Sequence, residues 1–156
     1  MASLYEELKA LVAALNEEQV PYALCGGLAM AVHGLVRATE DIDLLVQRGD
    51  LERVLHVAMQ LRYLVRPPVM IFENGSIEIH RVVKVLGEDE DPLMLDLLVV
   101  TPALQQVWDS RELKEWQEGT FWVVSREGLI RLKSGRASGI DQEDVRKLRE
   151  DEDEGR

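Results

Sequence analysis

The sequence predicts an α/β (α+β) chain: a mixed central sheet with helices packed mainly on one side, followed by a mainly helical C-terminal portion. Three observations carry that expectation. An amphipathic run opens the chain, two strand-then-helix units follow it, and three Val- and Ile-rich runs then come in close succession, the mark of neighbouring strands. With 156 residues, 46% of them hydrophobic and 30% charged, the composition is globular. A chain near this length can bury roughly 70% of the surface its unfolded form exposes, so a sizeable core is available to one domain.

The elements follow in order. Ser3 with Glu6 makes a capping-box pattern, and Leu4, Leu8, Leu11, Val12 and Leu15 recur at helical spacing as far as Asn16. "VPYALCGG" reads as a strand ending at its glycines, and "LAMAVHG" as a helix stopped by Gly34, which suits a left-handed C-cap. "DIDLLVQ" is the next strand. Asp50 is placed to cap a helix that buries Leu51, Val54, Leu55, Ala58 and Leu61. Pro67 and Pro68 break the chain before "VMIFE", "SIEIHRVVKVL" and "LMLDLLVV". Asn74-Gly75 signals a hairpin between the first two, and the acidic "GEDEDP" is a solvent loop between the last two. From Pro102 the chain reads as mainly helical apart from the strand "FWVVS". The expected organisation is one domain over 1–148, with its core at 20–101, a helical portion at 102–148, and a frayed acidic tail at 149–156.

Charge and cysteine content narrow the function classes. The formal net charge of −11 argues against a general basic field for nucleic-acid backbone. A local basic groove is expected, if anywhere, at Arg126, Arg131, Lys133 and Arg136. No apolar run is long enough for a bilayer, and acids stand near the N-terminus where a signal peptide carries bases, so a soluble, cytoplasmic protein with no membrane partner is expected. Cys25 is the sole cysteine, which excludes an intrachain disulfide and a thiolate zinc cluster; its apolar neighbours mark it as packed core. His33, at a predicted helix end, reads as structural, and Trp108, Trp116 and Trp122 as packing anchors.

Chemistry concentrates between Ala23 and Val46. In an extended chain Asp41 and Asp43 point to one side while Ile42 and Leu44 point to the other. Two like charges held that close describe either a wet face or a seat for a cation. Gly26 and Gly27 come where a strand hands over to a helix, a place where backbone can approach phosphate oxygens closely. Asp96 is one acid inside the apolar "LMLDLLVV", costly to bury without a cation or hydrogen bonds. Hard oxygen donors with no cysteine set nearby favour Mg²⁺ or Mn²⁺ over zinc.

Gly-Gly, a helix, Asp-x-Asp on the next strand and a distant strand Asp resemble the nucleotidyltransferase fold of the DNA polymerase beta superfamily. The nearer likeness is to its small bacterial minimal and toxin–antitoxin-associated members. The resemblance runs from Tyr22 to Val100 and resumes at Leu129 to Leu148, where Lys133, Arg136, Asp141 and Asp144 follow a pattern of such proteins. It implies that Gly26 and Gly27 form the triphosphate loop, that Asp41 and Asp43 share two metal ions, and that Asp96 is the third ligand and takes a proton. It further implies Mg²⁺ or Mn²⁺ as cofactor, an NTP as substrate, and a hydroxyl acceptor that is a small molecule, a protein or an RNA end. Many members have Gly-Ser where this chain has Gly26-Gly27, so one hydroxyl near the triphosphate is missing. Arg37, Thr39 and Lys133 are candidates for additional nucleotide contacts, whereas Glu40 reads as loop. The competing expectation is a catalytically inactive module of the same fold, an antitoxin or regulatory partner. A protein partner or a second copy of the chain would complete the acceptor pocket of so short a member.

Overall fold

In the computed structural model, which describes residues 3–35, 38–134 and 139–154, the strands form one sheet in the order β3-β4-β5-β2-β1-β7-β6. Helix α1 spans Leu4–Glu17, and the Ser3 hydroxyl accepts from the Glu6 amide at 3.0 Å, so the expected cap forms. Strand β1 (Ala23–Cys25) runs straight into α2 (Gly26–Val32), which ends at His33 and Gly34; Gly34 has φ +88°. There the Leu35 amide reaches back to the Met30 carbonyl at 2.9 Å.

Strand β2 (Asp41–Val46) lies between β1, antiparallel, and β5 (Leu93–Val99), parallel. Leu44, Leu45 and Val46 are all fully buried, the sign of a strand covered on both faces. Helix α3 (Leu51–Gln60) follows a 3₁₀ turn at Arg48–Asp50. Asp50 makes no side-chain cap, contrary to expectation. Its carboxylate pairs with Arg53 at 3.3 Å instead, and the preceding 3₁₀ turn holds Asp50 in a right-handed helical conformation, unlike the extended backbone a capping aspartate adopts.

Strands β3 (Met70–Phe72) and β4 (Ile77–Lys84) form the expected hairpin, with 73–76 as its loop; Glu73, Asn74 and Gly75 all have positive φ. Before β3, Val65 already bridges to Val83. Lys84 meets Glu7 of α1 at 2.8 Å, and Tyr63, just past α3, donates to the same carboxylate at 3.3 Å. Lys84 is an odd number of residues from Arg81, so α1 and the end of α3 cover the face of β4 opposite to Arg81.

After β5 the chain departs from the expectation of a mainly helical remainder. A short helix, α4 (Gln105–Asp109), leads into a hairpin of β6 (Glu112–Trp116) and β7 (Gly119–Val123), and β7 adds parallel to β1. "ELKEW" is composed of good helix formers, and its one aliphatic side chain, Leu113, is exposed, so neither propensity nor alternation marks it as a strand. Trp116 packs on Phe121 and Tyr5, joining the hairpin to α1. Helices α5 (Arg126–Ser134) and α6 (Gly139–Glu154) complete the fold. Helix α6 runs on into the segment expected to be a frayed acidic tail. Among the described residues no helix is long and apolar enough to cross a membrane.

Candidate active site

Strand pairing builds the site. Cys25 lies opposite Asp43 across β1 and β2, Asp43 is in register with Asp96 across β2 and β5, and Asp96 lies opposite Arg81 across β5 and β4. One row across four strands therefore reads Cys25, Asp43, Asp96, Arg81, all on one face of the sheet. Asp41, two residues earlier on β2, shares that face. Three carboxylates thus share one face, Asp41 and Asp43 from β2 and Asp96 from the distant β5.

The glycine pair is required by what packs against it. A Cβ on Gly26 would stand 2.1 Å from Asp43 Oδ2, and the residue has φ +68°, a region that L side chains rarely adopt. A Cβ on Gly27 would stand 2.8 Å from Thr39 Oγ1. The start of α2 is therefore pressed against the side chains of the loop and strand that follow it. Cys25 is 1% exposed, as its apolar neighbourhood predicts.

Electrostatics of the row are dominated by one arginine. Arg81 grips Asp96 with two parallel hydrogen bonds, Nε to Oδ1 at 2.7 Å and Nη2 to Oδ2 at 2.9 Å. Asp96, Asp41 and Asp43 all favour the charged guanidinium. Burial raises the Asp41 carboxyl above the usual carboxylate range, the negative charge of Asp96 raises it further, and Arg81 counters only part of this. Among the described residues no three His, Cys, Asp or Glu side chains form a group able to hold a metal ion. The three aspartates share a face, and the third is occupied by Arg81. The sequence reading did not single out Arg81, although a lone arginine in the apolar "HRVV" was its only signal.

Solved structures of similar shape show the fold that carries this arrangement. TM1012 of Thermotoga maritima, assigned to the nucleotidyltransferases, superposes with a TM-score of 0.60 at 17% identity over 96% of this chain and 92% of that one. The chain has the nucleotidyltransferase fold. ANT(2″)-Ia, solved in complex with adenylyl-2″-tobramycin, matches with a TM-score of 0.55 at 17% identity, covering 91% of this chain and 85% of that one. JHP933 from Helicobacter pylori matches with a TM-score of 0.52 at 18% identity, over 92% of this chain but 63% of the other. No protein-family model matches the sequence, and no curated protein matches it.

Within this nucleotidyltransferase fold the remaining expected residues fall into two groups. Thr39 stands beside the Gly27 turn and its hydroxyl donates to the Asp41 carbonyl at 3.4 Å. Lys133 is 5% exposed and pairs at 2.9 Å with Asp144, itself 2% exposed, tying α5 to α6. Arg126 donates to the carbonyl oxygens of His33 at 2.8 Å and Leu148 at 3.5 Å, and Arg131 donates to Gln106. His33 Nε2 in turn donates to the Val124 carbonyl at 2.8 Å, a structural role as expected. Arg126, Arg131 and Lys133 thus each contact a packing partner of α5. Arg37, Arg136 and the side chain of Asp141 lie outside the described residues.

Proposed function

We propose that this protein transfers a nucleoside monophosphate from an NTP to a hydroxyl acceptor and releases pyrophosphate, using Mg²⁺ or Mn²⁺. The observation that supports it most is the in-register placement of Asp43 and Asp96 on adjacent parallel strands, with Asp41 on the same face and Gly26 tight against the Asp43 carboxylate. The donor type suits a divalent ion: the carboxylate oxygens are hard donors, and burial together with the negative charge of Asp96 raises Asp41. Asp41 and Asp43 would hold that ion. When bound, it would neutralise charge on the triphosphate and make the acceptor hydroxyl easier to deprotonate.

The chain's own groups have separable tasks in this reading. Gly26 and Gly27 bring backbone N–H groups close to the phosphates, with no side chain in between. The Thr39 hydroxyl, next to the Gly27 backbone, is the polar group nearest to where a side chain at 27 would begin, and it is the candidate for a phosphate contact there. Asp96 is the group that would accept the acceptor's proton. Its carboxylate is fully engaged by Arg81, and a carboxylate held in such a fork is a poor base until it is released.

Label transfer tests the reading. The protein is incubated with each α-³²P-labelled NTP and Mg²⁺, together with a polyhydroxylated small molecule, a mixture of cell proteins, or RNA with a free end. Label should move to one acceptor class with wild type and not with Asp43→Asn. Equal transfer by the variant would remove Asp43 from the chemistry and overturn the proposal.

A further inference from the structure

The fork between Arg81 and Asp96 is asymmetric in its surroundings. The Asp96 side chain is 9% exposed and that of Arg81 31%, so the guanidinium is the more open of the two to solvent. Both oxygens of Asp96 are used by Arg81, in the planar two-point geometry that is the strong form of this pairing. The same guanidinium is also drawn by Asp41 and Asp43, so it stands in the field where a divalent cation would stand.

We infer that Arg81 is an internal counter-ion that occupies the third carboxylate of the site, and that a divalent ion gains Asp96 only when Arg81 lets it go. Arg81 is thus a positioning residue: it acts through Asp96 and sets how tightly the three aspartates take a metal. The inference rests on the preceding reading that Asp41 and Asp43 hold that metal.

Mn²⁺ binding to the chelator-treated full-length protein, followed by electron paramagnetic resonance of the free ion, tests it without any reaction. Arg81→Met should bind Mn²⁺ about tenfold more tightly than wild type, which corresponds to about 1.4 kcal/mol. Arg81→Lys keeps the positive charge but loses the two-point grip, and should bind about threefold more tightly. If Arg81→Lys matches wild type while Arg81→Met binds more tightly, charge alone is at work and the fork is not a latch; that overturns the inference. Unchanged or weaker binding in both variants overturns it as well, while leaving the proposed activity intact provided that wild type binds Mn²⁺ and Asp41→Asn/Asp43→Asn does not. Absence of Mn²⁺ binding in every protein overturns both. Because Arg81→Lys is the milder change, it decides the matter if Arg81→Met fails to fold.

Discussion

At the scale of single residues, Gly26 is fixed by Asp43. Alanine there meets a carboxylate oxygen 2.1 Å from its Cβ and must also adopt φ +68°, so Gly26→Ala should cost about 1–3 kcal/mol and displace the Asp43 side chain. Gly34 is the control, with φ +88° and nothing near its missing Cβ. Gly34→Ala should lose stability through backbone strain alone and leave ligand binding at Asp43 unchanged, as urea unfolding and nucleotide titration would show. Asp41 makes a prediction of opposite sign. Its folded-state pKa is raised, so ionising it costs more in the folded chain than in the unfolded one. That penalty is absent below the ordinary aspartate pKa of about 3.9, where both states are protonated, and complete above the raised value. Asp41→Asn should therefore melt about 2 °C above wild type at pH 7 in the metal-free protein. The gain should vanish below about pH 3.9. A variant that melts lower at pH 7 would contradict the penalty that burial and the Asp96 charge place on ionised Asp41.

At the scale of elements, the α5–α6 junction depends on an ion pair out of water. Lys133→Met removes the ammonium from that buried pair, and should cost about 3–5 kcal/mol in urea unfolding. Lys133→Met/Asp144→Leu, which removes both charges, should recover most of that loss. The sequence shows Lys133 as a cation near a helix end but not that Asp144 faces it from another helix. The same limit governs the strands. Asp41 and Asp43 were legible as a same-face pair because alternation is local, and Asp96 because a single acid interrupts an apolar run. Arg81 was not, since period-two alternation separates it from His80 and Lys84 without saying which of the two faces of β4 meets Asp96. That choice is made by register, which is non-local. Strand β6 escaped for a different reason: its residues favour helix, and only pairing with β7 holds them extended.

At the scale of the whole molecule, the sheet order places the site. Inserting β2 between β1 and β5 sets the glycine turn beside the Asp-x-Asp strand and Asp96 beside Asp43, while α1 cushions the opposite face. The chain's formal charge of −11 adds to the negative charge of the three acids. A triphosphate would enter a field that repels it unless a divalent ion comes with it. Nucleotide binding should therefore depend on metal and on the Asp-x-Asp pair together. Calorimetric titration of the four NTPs, with and without Mg²⁺, into wild type and Asp41→Ala/Asp43→Ala tests this most directly. The account predicts binding of at least one NTP to wild type with Mg²⁺, and none without the ion or in the double variant; undiminished binding to the double variant, or none to wild type, would contradict it.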